Sequence, residues 1–369
     1  MNAPLPRWVD LALIPALNVI AAFVVAGLVV LAIGENPFDA VRFILIGAFG
    51  YGEGVGFTLF YTTNFIFAGL AVAVAFHAGL FNIGGEGQAY VGGLGVALVC
   101  LSLDHYVPWW IIAPLAALGG AAFGAGWAFI PAYLQATRGS HIVITTIMFN
   151  FLAASLMVYL LVNVMKVDGA MAPESRTFEE AGRLPKIGWF LGLFGQDIGG
   201  APVNLSFFLS LIACVFVWLL IWRTRLGYEI RTFGANPTAA VYAGINPVRI
   251  TVITMLISGA LAGLMAMNPV MGDQNRLFLD VAGGAGFVGI AVALMGRGHP
   301  VGVALAALLF GVLYQGVAEL AFEMPAITRD MALVIQGLVV LFAGAMEFMF
   351  RPALARLFAA AGYGREARG

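Results

Sequence analysis

The sequence reads His77-Ala-Gly-Leu-Phe-Asn-Ile-Gly-Gly-Glu-Gly-Gln88 where a long apolar stretch is interrupted, and seven glycines fall within residues 79–95. Each interior glycine lowers helix stability by about 1 kcal/mol, so the segment predicts a helix that breaks near Gly84-Gly85 and then restarts. Irregular backbone at membrane depth persists only inside protein or along a water-filled cavity. The break is therefore predicted to lie within a bundle of helices.

Three polar side chains accompany the predicted break. Glu86 falls in the first turn of the restarted helix, where the helix dipole favours a carboxylate, and Asn82 is placed to cap that turn. One interpretation puts Asn82, Glu86 and Gln88 on a solute path or a moving gate, because ionisable groups inside a membrane bundle are usually functional. The alternative is that the glycines serve close helix packing and Glu86 is a structural polar group.

The composition predicts an all-α polytopic membrane protein. Of the 369 residues, 62% are hydrophobic and only 10% are charged, with a mean hydropathy of +0.96. Soluble domains carry about 25% charged residues, and no soluble globule of this size could bury so much apolar surface. The lipid bilayer is the expected environment, and the formal net charge of −1 argues against nucleic acid as a partner.

About ten transmembrane helices are predicted from apolar segments of spanning length, with glycine-broken helices in both halves of the chain. Residues 1–369 are interpreted as a single transmembrane domain. The segment 284–296 is short for a span. The predicted spans are 11–33, 57–77, 84–103, 110–135, 141–165, 204–222, 249–270, 284–296, 301–321 and 331–350.

The distribution of Lys and Arg predicts that the N-terminus and the C-terminus both face the cytoplasm. With this orientation the cytoplasmic pieces hold eleven basic residues and the opposite side holds seven. Four of those seven lie in one long external loop, about residues 166–203, so the bias of the short loops is stronger. The stretch Glu35–Gly56 is not predicted to span. Its apolar residues recur near helical spacing and predict an external amphipathic helix on the membrane surface.

The motif Gly-x-Asn-Pro occurs twice, at 234–237 and 244–247. In each copy we expect glycine to end one helix in the left-handed conformation, asparagine to cap the next helix and proline to occupy its first turn. The two motifs enclose a short helix, Pro237 to Ala243, in a cytoplasmic segment of about 223–248. This helix is either a docking element for a cytoplasmic partner or a compact turn. The residues assigned to docking are Gly234, Asn236, Pro237, Ala240, Tyr242 and Gly244.

A second glycine-dense membrane segment, residues 283–302, stands in the other half of the chain. It ends at a turn containing Arg297, His299 and Pro300, and His299 is interpreted as a turn residue rather than a ligand. Interrupted helices in corresponding positions of two halves are typical of transporters built from internal repeats. The similarity between the two segments is one of composition.

Searches for catalytic and energy-coupling motifs find no P-loop, no His-Glu-x-x-His, no Cys-x-x-Cys and no Gly-x-Ser-x-Gly in the sequence. The four histidines are scattered, so neither a metal site nor a catalytic residue is expected. Only Glu86 and His77 are candidates for a proton relay. If transport is active, the energy is expected to enter from outside this chain.

The run Gly79-Leu-Phe-Asn-Ile-Gly-Gly-Glu-Gly-Gln88 resembles the signature of bacterial ABC importer permeases for nucleosides and simple sugars. The closest match is the larger nucleoside permease subunit, and the resemblance covers about residues 65–345. One departure stands at Ile142, where the family usually has an acidic residue after the position of His141. The other regions of resemblance are 139–150, 234–237 with 239–244, 286–296 and 336–342.

The resemblance implies a ten-helix permease of the bacterial inner membrane that needs three kinds of partner. A second, similar permease subunit would complete a heterodimer, and an ABC ATPase with its ATP and Mg²⁺ would dock on the cytoplasmic coupling helix. An extracytoplasmic substrate-binding lipoprotein would deliver the solute, and from the topology we place its docking surface at loop 166–203 and Gly272–Arg276. No cofactor is expected in this chain.

The leading hypothesis is therefore an ABC importer permease for nucleosides, with Asn82, Glu86, Gln88 and Asn150 as path or gate residues. The alternative within the family is a permease for simple sugars. A self-sufficient secondary transporter or channel is the rival from another class, and a membrane enzyme lacks any catalytic constellation.

Overall fold

The computed structural model describes residues 13–193, 195, 197–324 and 326–328, together with a few separate positions nearer the two ends. Within these ranges the regular structure is helical, apart from one bridging pair, Lys186 and Asn204, and a 3-10 turn at Glu180–Gly182. The helices are α1 (Ile14–Ile33), α2 (Pro37–Phe49), α3 (Gly52–His77), α4 (Gly85–Leu103), α5 (Trp109–Arg138), α6 (Ile142–Asn163), α7 (Gly188–Gly192), α8 (Ser206–Arg223), α9 (Arg225–Ala235), α10 (Pro237–Tyr242), α11 (Pro247–Met265), α12 (Met267–Gly272), α13 (Ala285–Met295) and α14 (Pro300–Glu323).

The prediction of an all-α polytopic membrane protein is confirmed. Among the described residues, seven helical segments are long and apolar enough to cross a membrane: α3, α4, α5, α6, α8, α11 with α12, and α14. The count becomes eight if α1 and α2, bent by 116°, are taken as one span. The predicted count of ten is not reached within the described part of the chain. Segment 284–296 forms the short helix α13, and segment 331–350 falls largely outside the described residues.

The chain divides into two compact units, residues 1–50 with 312–369, and residues 51–311. In the first unit, α2 begins at Pro37. The preceding residue, Asn36, caps this helix, because its side chain accepts a hydrogen bond from the Phe38 N–H at 3.0 Å. The predicted amphipathic helix within Glu35–Gly56 is thus confirmed as a helix. Its place on a membrane surface and the single domain both stay predictions.

Helix α3 is the centre of the second unit. Its side chains Phe65, Ile66, Phe67 and Leu70 are all buried, as expected of a helix that is apolar on every side. Helices α8, α11 and α13 pack against it. The helix ends at His77, where the glycine-rich interruption begins.

Helices α5 and α11 approach closely because glycines face one another across their contact. Gly120 and Gly124 of α5 meet Gly259 and Gly263 of α11, each pair spaced by four residues. A β-carbon on Gly263 would collide with the Gly120 carbonyl, and one on Gly124 would collide with the Gly259 carbonyl. Small residues at this spacing let helix backbones pack together in membranes, where lipid supplies no hydrophobic drive for association.

Replacing Gly263 by valine is expected to lower the free energy of unfolding by about 1–3 kcal/mol, because the added methyl groups force the helices apart. The matched control is Gly126→Ala on α5, where the position is exposed and the space around it is open. Thermal unfolding of the purified protein in detergent measures both. Equal unfolding temperatures for Gly263→Val and the wild-type protein would contradict this account of the packing.

Candidate functional site

The predicted helix break is confirmed: α3 ends at His77 and α4 begins at Gly85. Between them the chain turns at Gly79, whose φ of +71° is a left-handed conformation that favours glycine. Glu86 lies in the first turn of α4, as predicted. The break therefore presents the N-terminus of α4 to the interior of the second unit.

Asn82 does not cap α4, so that prediction is wrong. The helix is capped by Gly84, which provides no side chain, and Asn82 stands two residues too early to reach the amides of the first turn. Its Oδ1 accepts from the Gly84 N–H at 2.9 Å and from Gln88 Nε2 at 3.1 Å. Its Nδ2 donates to Gln88 Oε1 at 2.9 Å and to Ser258 Oγ at 2.8 Å. Asn82 thus ties the break to Gln88 and to α11.

The first turn of α4 is capped by Asn150 and not by Asn82, the residue predicted from the sequence. Asn150 lies on α6, and its Oδ1 accepts from the Gly87 N–H in the first turn of α4 at 2.9 Å. Its Nδ2 donates to the Ile83 carbonyl, also at 2.9 Å. One amide side chain therefore satisfies an orphan donor of the new helix and a carbonyl of the broken segment.

The Glu86 carboxylate binds the start of a second interrupted helix. Its Oε1 accepts from the Gly284 N–H at 2.8 Å, and its Oε2 accepts from the Gly286 N–H at 2.9 Å. Gly284 precedes α13 with a φ of +79°, and a β-carbon on Gly286 would collide with the Glu86 backbone nitrogen. Two helix N-termini therefore meet here, and one carboxylate balances the positive ends of both dipoles.

The structure brings all four predicted path or gate residues into a network that is connected through the backbone of residues 82–88. Asn82 and Gln88 bond to each other, whereas the Glu86 and Asn150 side chains bond to backbone groups. Asn82, Glu86, Gln88 and Asn150 are only 1%, 4%, 1% and 7% exposed. Ser258 also belongs to the network, since it accepts from Asn82 and its Oγ donates to the Ala71 carbonyl at 2.6 Å. This residue was not predicted from the sequence. Buried polar groups with partners on four helices resist rearrangement until the helices themselves move.

A second buried polar cluster was also missed. Asn268, at the junction of α11 and α12, donates through Nδ2 to the Phe60 carbonyl and to Asn64 Oδ1, both at 2.9 Å. Its Oδ1 accepts from Asn204 Nδ2 and from Ser206 Oγ, both at 2.8 Å. The cluster joins α3, α8 and α12. Isolated asparagines in separate apolar segments do not indicate from the sequence that their side chains meet in the fold.

The Tyr90 hydroxyl donates to Asp280 Oδ1 at 2.7 Å, just beyond the meeting point of α4 and α13. Asp280 is exposed and has a φ of +62°. The glycine-dense segment identified in the sequence starts at residue 283, so Asp280 was not among the predicted site residues. An acidic residue directly before a glycine-rich run inside a membrane protein is the signal that could have found it.

The asparagine caps and proline starts predicted at both Gly-x-Asn-Pro motifs are confirmed, and so is the left-handed glycine of the second motif. The Asn236 side chain accepts from the Ala239 N–H at 3.0 Å, and α10 begins at Pro237. Gly244 has a φ of +80°, and α11 begins at Pro247. Helix α10 ends at Tyr242, one residue before the predicted end.

Gly234 does not end a helix in the left-handed conformation, so that prediction is wrong. It lies inside α9, where a β-carbon would collide with the His77 carbonyl. The absence of a side chain at this position lets α9 pack directly against the end of α3. Glycine has two uses, at left-handed positions and at close approaches, and the sequence motif did not distinguish them.

Helix α10 presents a small apolar surface beside this contact. Ala240 is buried, whereas Val241 and Tyr242 are exposed, Tyr242 to 91%. The helix packs against α9 and α11. A displacement of α10 would therefore be carried by α9 to the end of α3, where the break begins.

Two histidines bracket an indole ring near the same end of α3. The His77 ring lies 5.1 Å from the Trp222 ring, and Trp222 lies 5.0 Å from His299, measured between ring centroids. His77 Nε2 donates to the Gly298 carbonyl at 3.2 Å. His299 stands in the turn between α13 and α14, as predicted. The end of α8, the break and the α13–α14 turn are thus in mutual contact.

The long loop of residues 166–203 is held to α4 by an ion pair. Asp104 receives two hydrogen bonds of 2.8 Å from the Arg176 guanidinium and one of 3.0 Å from the Glu179 N–H. Burial of Asp104 opposes its ionisation, but the hydrogen bonds and the charge of Arg176 outweigh burial and lower the carboxyl pKa below its ordinary value of 3.8. A second pair joins Arg276 to Glu174 at 2.6 Å.

Asp104→Asn is expected to destabilise the protein by on the order of 2 kcal/mol, because hydrogen bonds to charged groups are lost. A lowered pKa means that the stabilisation is present above pH 3.8 and is lost as the pH falls through the folded-state value. The gap in unfolding temperature between variant and wild type should therefore be equal at pH 5 and pH 7. Asp168→Asn, at an exposed position of the same loop, is the control. A gap present at pH 7 but absent at pH 5 would overturn this assignment.

These features describe a polytopic helical membrane protein whose interrupted helices meet at a buried polar network, the architecture of a solute permease. Residues 54–344 match the sequence profile of the branched-chain amino acid transport system permease component family. The chain belongs to this family, whose members are transport permeases rather than enzymes.

Three relatives match over most of both chains. The glucose ABC transporter permease of Haloferax volcanii is 34% identical, over 94% of this chain and 90% of the relative. The guanosine ABC transporter permease of Bacillus subtilis is 34% identical, over 89% and 92%. The nucleoside ABC transporter permease of Lactococcus lactis is 32% identical, over 86% and 85%. The resemblance seen in the sequence motifs is thus confirmed along the chain.

Proposed function

We propose that this chain is the membrane-spanning permease subunit of an ATP-driven ABC importer that carries nucleosides across a bacterial inner membrane. The observation that carries the proposal is the buried network in which Glu86 joins the two interrupted helices, α4 and α13, and Asn150 joins α6 to α4. The family membership supports the permease role. Two of the relatives reported above are named for nucleosides or guanosine and one for glucose, so a simple-sugar permease is the second candidate.

The solute path is closed by Asn82, Glu86, Gln88 and Asn150, which act as gate residues. Their burial and mutual hydrogen bonds support this role, because a gate that faces no water must replace water with protein partners. Opening requires α4, α6 and α13 to separate. Solvation of the freed polar groups by water and solute would offset the lost hydrogen bonds.

Helix α10 receives the driving force from an ABC ATPase on the cytoplasmic face. Its capped start at Asn236 and Pro237 and its exposed Tyr242 support a role in docking. The contact of Gly234 with the end of α3 supplies a mechanical route from α10 to the gate. ATP and Mg²⁺ are bound by the ATPase, and this chain needs no cofactor or metal of its own.

A second permease subunit, related but not identical, completes the pathway, and solute passes between the two chains. Helix α6 supports this arrangement because one of its faces carries Asn150 and packs on α4 and α5, while the other exposes Ile144, Met148 and Phe151. An extracytoplasmic lipoprotein delivers the solute to the loop of residues 166–203 and to Gly272–Arg276. Both termini of this chain lie in the cytoplasm.

Proteoliposomes that contain the chain with its copurifying ATPase, second permease and binding lipoprotein should take up guanosine only when ATP is supplied. A binding screen of the lipoprotein with nucleosides, pentoses and hexoses should favour nucleosides. Binding of glucose but not guanosine would select the sugar permease instead. Uptake that survives ATP depletion and collapses with the proton gradient, with no copurifying ATPase, would identify a secondary transporter.

Asn236→Ala combined with Pro237→Gly is expected to abolish uptake and its coupling to ATP hydrolysis while leaving membrane insertion normal. The reason is that α10 loses its cap, worth about 1 kcal/mol, and its rigid start. The matched control is Asn36→Ala with Pro37→Gly, which removes the same kind of cap from α2. ATPase activity and uptake in proteoliposomes measure the effect. Unchanged coupling in the Asn236 and Pro237 variant would exclude α10 as the docking element.

A further inference from the structure

A small cleft opens beside the gate, with the polar ends of Tyr90 and Asp280 in an otherwise apolar lining. It has a volume of about 130 Å³. A water molecule needs about 10–15 Å³ of such space, so the cleft has room for several waters or for one ring-sized group. The lining residues are Tyr90, Ala154, Met157, Val158, Phe278, Leu279, Asp280 and Val281.

The cleft lies next to the gate residues along helices α4 and α6. Tyr90 lies four residues after Glu86 on α4, and Ala154 lies four residues after Asn150 on α6, so each pair shares a helix face. The third wall, residues 278–281, leads directly into Gly284, which donates to Glu86. A solute released by the gate would therefore meet the cleft within one helical turn.

Asp280 has the properties of a residue that binds solute, in addition to its structural hydrogen bond with Tyr90. Its carboxylate is exposed in an otherwise apolar segment, and its φ of +62° is left-handed, a conformation that is uncommon for non-glycine residues although Asp adopts it more readily than most. Oδ1 accepts from the Tyr90 hydroxyl. Among the described residues no group donates to Oδ2, so this oxygen remains free to accept from a solute.

The chemistry of the cleft selects a solute that donates hydrogen bonds. Asp280 Oδ2 and the Tyr90 oxygen both present acceptors, since the Tyr90 proton is engaged by Oδ1. Vicinal hydroxyl groups of a sugar are matching donors.

We propose that the cleft is the ribose-binding subsite for a ribonucleoside in the permease, in which Asp280 accepts from the 2′- and 3′-hydroxyls. This inference rests on the proposed function as an importer and adds a specificity-determining residue to it. The Tyr90 hydroxyl orients the carboxylate. The subsite distinguishes ribonucleosides from analogues that lack both hydroxyls.

The test compares guanosine with 2′,3′-dideoxyguanosine in proteoliposomes of the whole importer. Asp280→Asn keeps the shape of the side chain, and Asp280→Gly relieves the left-handed backbone. In both variants the KM for guanosine should rise about tenfold, the loss of one charge-assisted hydrogen bond, with kcat within about twofold of wild type. Uptake of the dideoxy analogue by the wild-type importer should be about as poor as guanosine uptake by Asp280→Asn, and little changed in that variant.

Arg297→Gly is the matched control, because Arg297 also has a left-handed φ, of +52°, and does not line the cleft. It should leave the KM for guanosine unchanged. An unchanged KM in both Asp280 variants would overturn the subsite, as would an equal fall in uptake of guanosine and the dideoxy analogue. A wild-type importer that takes up no nucleoside would instead refute the proposed function, so the two failures are distinguishable.

Discussion

The fold of the second unit depends on the contact between the Glu86 carboxylate and the amides of Gly284 and Gly286. The first amides of a helix have no partner within the helix, and burying them without one costs about 1–3 kcal/mol each. Glu86 satisfies two such amides through the two oxygens of one carboxyl group, at 2.8 and 2.9 Å. Residues almost two hundred positions apart are thereby fixed together, and the remaining polar contacts assemble around this point.

Under the proposed function, the network accounts for a gate that is tightly closed and yet opens when helices move. Asn150 caps α4 from α6, and Asn82 pairs with Gln88 and with Ser258 on α11. Each partner belongs to a different helix, so small movements between rigid helices break several bonds at once. The packing of α9 on the end of α3 at Gly234 gives the cytoplasmic segment a direct contact with the break. In the proposed mechanism, this contact converts a small displacement of α10 into a change of access.

The sequence predicted those features that follow from local rules. Glycine content predicted the break before α4, and Asn-Pro pairs predicted the starts of α10 and α11, because backbone freedom, capping and the fixed φ of proline act within a few residues. The partners of these residues could not be predicted, since they come from distant segments. Asn82 was assigned a cap that Asn150 supplies from α6, and Gly234 was assigned a turn although it serves a close approach. Both corrections arise from tertiary contacts that override a local preference.

The most direct test of the central claim is the rate of ATP-driven guanosine uptake by Glu86→Gln, measured with equal amounts of folded protein in the proteoliposomes. Glutamine keeps one acceptor oxygen, but its NH₂ group would face an amide donor and the negative charge would be lost. The account predicts a fall of about tenfold or more, equivalent to at least one charge-assisted hydrogen bond. An uptake rate and KM equal to those of the wild-type importer would contradict it and would make Glu86 a structural residue alone.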